Sequence, residues 1–149
     1  MVKITWLAAI ALLLSSFTVW HHNLEEAKQL AKKEHKYILL NFSGSDWCGP
    51  CIRLHHDVFA STAFQQFADT ALIMLNANFP RLKKNQLSAE QQKINESLAD
   101  KYNAKGIFPL TVLLNENGKV VKQWEGCPDS QINVFINNIS AAIQTDKGQ

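Results

Sequence analysis

A chain of 149 residues, 46% hydrophobic and 19% charged, carries enough apolar material for one domain with its own core and argues against a disordered chain. Its formal charge of +2, with lysines spread along its length, gives no footing for nucleic-acid binding; Arg81, Lys83 and Lys84 read as a solvated loop. The three cysteines are too few for a disulfide-stapled scaffold, so packing must build the core and a cysteine pair is left for chemistry.

Residues 1–20 read as an export segment. Lys3 gives a short positive start, residues 4–14 are apolar apart from Thr5, and Ser15-Ser16-Phe17-Thr18 lowers the hydropathy. The run suits a signal-peptide core better than a membrane span, which needs about 20 apolar residues. Val19-Trp20-His21 is bulky where a cleavage site wants small residues, so an uncleaved N-terminal membrane anchor stands beside the signal peptide. The domain pattern covers 23–144, and 145–149 form a polar, flexible tail.

Residues 23–33 read as a helix. Asn23 caps it, Glu26 completes a capping box, and Leu24, Ala27, Leu30 and Ala31 share one face. The apolar run 37–42 fits a strand buried on both faces, broken by Asn41. A helix over about 50–59 follows, then one or two helical turns capped by Ser61, with Phe59, Phe64 and Phe67 as core residues. A second strand spans 71–77, and a loop spans 79–87. Ser88 then caps a helix to Tyr102, with Ile94, Leu98 and Tyr102 in one stripe. That loop and helix read as a decorated crossover or as a substrate-contacting insertion. Residues 110–115 and 119–124 form a hairpin, turned where Asn117 and Gly118 tolerate positive φ. The last helix covers 129–144, with Ile132, Phe135, Ile136, Ile139 and Ile143 on one face. The first two strands flank a crossover and should be parallel; the last two are antiparallel. The outcome is one α/β domain, a sheet between helices.

Cys48-Gly49-Pro50-Cys51 sits at the turn from strand to helix, a redox signature. A helix start offers unpaired N–H groups and partial positive charge, so a thiolate there should fall from about 8.5 toward about 7 in pKa. Gly49 lets the backbone bend, and Pro50 sacrifices no hydrogen bond in a first turn. Cys48, expected at the exposed edge of the turn, is the attacking nucleophile. Cys51, one turn in, resolves the mixed disulfide. Trp47 shields the pair. Asp46 either raises the Cys48 pKa by like charge or is simply solvated. His55, four residues past Cys51, is either a proton acceptor or an ordinary surface histidine. Cys127 is either an extra reactive thiol or an inert, half-buried small hydrophobe. A zinc module built on Cys48, Cys51, Cys127 and a histidine lacks a second tight ligand pair. No metal is therefore expected, and no cofactor beyond a redox-active Cys48–Cys51 disulfide.

Trp47-Cys48-Gly49-Pro50-Cys51 resembles the thioredoxin active site. Phe108-Pro109-Leu110-Thr111, followed by an apolar strand and the Gly118 hairpin, resembles that family's cis-proline segment. With Asn78-Phe79-Pro80-Arg81 between them, the order is similar to secreted bacterial thioredoxin-like proteins, including the periplasmic DsbH type. The resemblance covers residues 24–143. It implies a thioredoxin-like fold, a central mixed β-sheet flanked by helices. It also implies a cis Pro109 that leaves the Phe108 backbone open to an extended substrate, and a Cys127 stretch beside that loop. The activity implied is that of a monomeric thiol–disulfide oxidoreductase of the cell envelope. It would reduce disulfides of exported proteins and be resupplied by a membrane thiol donor. One departure matters: thioredoxins place a buried carboxylate near position 41, and Asn41 can hold a hydrogen bond but cannot take a proton. The Gly-Pro spacer resembles reducing thioredoxins, near about −270 mV against about −120 mV for DsbA. Asn41 and Asp46 push the other way, which keeps disulfide oxidase or isomerase activity as the alternative.

Overall fold

In the computed structural model, residues 18–128 and 131–149 are described. Five strands form one sheet in the order β1-β3-β2-β4-β5. They are β1 (Trp20–His21), β2 (Tyr37–Ser43), β3 (Leu72–Asn78), β4 (Leu110–Leu114) and β5 (Val120–Glu125). β1 and β2 both run parallel to β3, while β4 pairs antiparallel with β2 and with β5. The helices are α1 (Leu24–Glu34), α2 (Gly49–Arg53), α3 (Thr62–Ala71), α4 (Ala89–Tyr102) and α5 (Ile132–Lys147).

The period of two along β2 sorts the core into two layers. Ile38, Leu40 and Phe42 face α1 and α4, where Ala27, Ala31, Leu98 and Tyr102 are buried. Tyr37 and Leu39 face the opposite layer, with Phe64, Ala68, Phe135 and Ile139 from α3 and α5. Burying each large apolar side chain contributes about 1.5–3 kcal/mol, so β2, covered on both sides, anchors the domain. Asn41 keeps the odd phase and so points toward the α2 side.

Local capping follows the sequence with one correction. Asn23 Oδ1 accepts the N–H groups of Glu25 (2.9 Å) and Glu26 (3.1 Å). The return half of the expected capping box is missing, because the Glu26 carboxylate turns to His21 Nδ1 at 3.2 Å. Ser61 and Ser88 cap α3 and α4 as expected.

Three stretches differ from expectation. The helix expected over 50–59 changes form: α2 continues into a wider π-helical stretch, Leu54–Phe59, closed by Ala60 N–H to His55 O at 2.9 Å. Its buried residues are Leu54, Val58 and Phe59, so the widened turn seats two adjacent side chains, 58 and 59, in the core. The expected flexible tail 145–149 is helical through Lys147. Tyr37 Oη donates to Asp146 Oδ2 at 2.9 Å and fastens this end to β2. At the other terminus, Trp20 belongs to the sheet, opposite Met74, so the domain starts before residue 23. The rest of the expected export segment, residues 1–17, lies outside the described residues. Among the described residues no helix is long and apolar enough to cross a membrane.

Candidate active site

β2 ends at Ser43, and the chain turns through 44–47 into α2 with Cys48 as its N-cap. Gly44 makes the turn possible. Its carbonyl accepts the N–H groups of Trp47 (3.3 Å) and Cys48 (2.9 Å). A Cβ at position 44 would lie 2.3 Å from the Trp47 ring, so only glycine lets the indole fold back. The turn is tied to the end of β3 and the loop beyond. Ser45 N–H donates to Asn78 Oδ1 at 3.0 Å, and the Trp47 indole N–H donates to Phe79 O at 2.7 Å.

Asp46 does not stand free in solvent. It accepts the N–H groups of Arg81 (2.9 Å) and Leu82 (3.0 Å) and the Asn85 amide (2.9 Å). These bonds, the Arg81 one foremost, hold its carboxyl below the usual carboxylate range.

Cys48 and Cys51 are bonded, with Sγ atoms 2.02 Å apart and Cα atoms 5.2 Å apart. Both are buried, at 5% and 4% exposure. This corrects the expectation of an exposed Cys48: its sulfur is turned inward and accepts the Cys51 N–H at 3.2 Å. The same N–H, at the start of α2, would stabilise a Cys48 thiolate once the bridge is open. Pro50 lies in the first turn of α2, as expected, and Gly49 and Pro50 are exposed beside the pair.

The Phe108–Pro109 peptide is cis. β4 begins at the next residue, with Leu110 opposite Phe42, so register brings Pro109 alongside the turn that holds the cysteines. Pro109 O accepts the Gly126 N–H at 2.9 Å. No backbone hydrogen bond involves Phe108 among the described residues. Its ring meets those of Trp47 and Phe79 edge-on, both at 5.5 Å between centroids. Arg81 stacks over the Trp47 ring at 3.7 Å. Sequence reasoning treated Arg81 as part of a solvated loop. The long stretch of chain between it and Trp47 carries no local signal of the contact.

Behind the pair lies a cavity of about 650 Å³, lined by Trp20, Asn41, Ser43, Cys51, His55 and Asn76 among others. The fold thus brings His55 and Asn41 to the same space as the buried cysteine. Asn41 is 5% exposed, and its amide nitrogen donates to Thr111 Oγ1 at 3.2 Å. Its oxygen is left as an acceptor. His55 is exposed and its ring lies 6.1 Å from that of Trp20. Trp20 and Asn76 escaped the sequence reading, Trp20 because it closes an apolar run that resembles a leader. Cys127 is half-buried and packs on the α3/α5 layer. It follows Gly126, the residue bonded to Pro109, so its stretch borders the cis-proline loop as the resemblance implied. Among the described residues no three His, Cys, Asp or Glu side chains come together as a ligand set.

Comparison with known proteins agrees with this arrangement. The family model described as a thioredoxin-like domain matches residues 24–134. The chain is 38% identical over 119 residues to the disulfide bond reductase DsbH of Chlamydia pneumoniae, covering 80% of this chain and 69% of that one. It is 27% identical over 108 residues to the thioredoxin-related protein DsbJ of the same organism, a match that spans 72% of this chain and 30% of DsbJ. A solved structure of a DsbH oxidoreductase superposes with a TM-score of 0.77 at 28% identity, covering 97% of this chain and 94% of that one. A thioredoxin from Thermus thermophilus shares the fold, with a TM-score of 0.62 at 14% identity over 86% of this chain and 88% of its own.

Proposed function

The chain belongs to the thioredoxin-like domain family, among thiol–disulfide oxidoreductases of the DsbH type, and we propose that it reduces disulfides of exported proteins in the cell envelope. The observation that carries this reading is the Cys48–Cys51 bridge at the head of α2, set beside a cis Pro109.

In the reduced protein the Cys48 thiolate attacks one sulfur of a substrate disulfide. The S–S bond of the substrate breaks, its second sulfur leaves as a thiolate and takes a proton, and Cys48 is joined to substrate. Phe108 offers backbone groups to an extended substrate segment, and Trp47 with the exposed Gly49 and Pro50 forms the contact surface. Cys51 then loses its proton and attacks Cys48 Sγ. The mixed disulfide breaks, the substrate leaves with two thiols, and the protein returns to the bridged state. Two electrons have passed to the substrate, and a membrane dithiol restores them.

Asn41 cannot accept the Cys51 proton. His55, on the same cavity, is the group we assign to that transfer, acting through solvent. Residues 1–20 would direct export as a signal peptide or as an anchor to the inner membrane. The domain would work as a monomer, with exported disulfide proteins as substrates.

The direction is tested by equilibrating the pair with glutathione. A potential near about −270 mV is expected, and a value near about −120 mV would replace the reductase by an oxidase or isomerase. One observation favours that second reading: the Cys51 N–H aimed at Cys48 Sγ stabilises the reduced thiolate, which raises the potential.

A further inference from the structure

The loop after β3 carries a cluster that the sulfur chemistry leaves unused. Arg81 lies flat over Trp47, 3.7 Å from the ring centre, a cation–π contact. Its place is fixed from several sides. Arg81 and Leu82 donate their backbone N–H groups to the two oxygens of Asp46, and the Trp47 indole donates to Phe79 O. Trp47 in turn meets the ring of Phe108, the residue before the cis proline. The guanidinium is therefore held one ring away from the segment that borders the sulfur pair. Among the described residues no carboxylate forms an ion pair with it. Asp46, the adjoining acid, has both oxygens occupied by the loop's N–H groups and the Asn85 amide. Lys83 and Lys84 extend the positive character on the exposed turn.

We infer that Arg81 determines specificity, favouring substrates that carry a carboxylate next to the target cysteine. This deepens the oxidoreductase reading and rests on it. A guanidinium matches a carboxylate with two parallel N–H bonds. Stacking on Trp47 restricts the arginine before substrate arrives, so less freedom is lost on pairing. Ammonium groups at the same substrate position meet a charge of the same sign and are repelled.

The test uses the full chain with its cysteine pair reduced, and two disulfide-linked peptides that differ only in Glu or Lys beside the cysteine. The readout is the ratio of their kcat/KM values, which cancels any loss common to both. The wild type is expected to favour the Glu peptide about fivefold at low salt, the upper range of an exposed ion pair. The ratio falls toward one as salt rises. Arg81→Glu is expected to invert the preference, and Arg81→Lys to keep its sign at reduced size. Parity in the wild type overturns the inference and leaves the reductase standing. An unchanged preference in Arg81→Glu also overturns it, since Lys83, Lys84 or overall charge would then be responsible. Failure to reduce either peptide removes the oxidoreductase reading, and the inference falls with it.

Discussion

The two sulfurs of one bond sit in unlike surroundings. On the Cys48 side stand Trp47, Phe79, Phe108 and Arg81, rings meeting edge-on with a cation over one of them, fastened by hydrogen bonds to the turn. On the Cys51 side lies a roomy cavity whose wall mixes Asn41, Ser43, Asn76 and His55 with Trp20. The difference fits the roles proposed for the two sulfurs. Cys48 would meet a large partner in one orientation, which calls for fixed, flat surfaces. Cys51 would shed a proton, which calls for polar groups and access to solvent.

Replacing either cysteine tests the contrast most severely. Cys48→Ser should reduce insulin disulfides no faster than buffer, whereas Cys51→Ser should still attack and remain joined to substrate. Mass spectrometry of the mixture checks this: an adduct in Cys51→Ser and none in Cys48→Ser. An adduct through Cys51 instead would reverse the assignment of the two sides.

His55→Ala probes the cavity side alone. General-base help is commonly worth about 10²-fold, so release of substrate from the mixed disulfide should slow by up to that factor, with its pH profile flattened. Formation of the mixed disulfide should keep its rate. Stopped-flow measurement of both steps separates them, and an unchanged release step would return His55 to the ordinary surface histidines.

Gly44→Ala probes the other side. The new methyl would overlap the Trp47 indole, so thermal denaturation should show a loss of about 1–3 kcal/mol, as for overpacking elsewhere. Trp47 fluorescence should shift as the ring leaves Phe79 O. The resolving step, on the far side of the bond, should change little.

The smallest effect concerns Asp46. Its carboxyl titrates below the usual range when folded, so the stability it contributes is present above the unfolded value of about 3.9 and is lost as pH falls through the lower, folded value. Acid below that point should free the loop at Arg81 and Leu82 and expose Trp47, while the cavity side is unaffected. Asp46→Asn should show the same Trp47 signal already at neutral pH. A tryptophan signal flat with pH in the wild type would show that the loop does not depend on this carboxylate.

How much of this was legible in the sequence divides by range along the chain. The Trp47–Cys51 motif and the Phe108-Pro109 segment were readable because their parts are local, as were the caps at Asn23, Ser61 and Ser88. Long helices and β2 were readable because their apolar spacing persists over several residues. The stack of Arg81 on Trp47 was not, since a contact across a long loop leaves no periodic trace. The hydrogen bonds of Asp46 were not foreseen for the same reason, its partners being backbone groups 35 and 36 positions away. The π-helical turn after Arg53 needs the core positions of Val58 and Phe59 to be known first. β1, with two residues, is too short for any period to show.

That short strand bears on maturation. Trp20 covers the outer edge of β3 and forms one wall of the space behind Cys51, with its ring 5.4 Å from that of Phe59. A processed form that retained Trp20 would keep both functions. One trimmed through Trp20 would leave β3 with a bare edge, a template for unwanted strand pairing, and would open the proton side of the bond to bulk solvent.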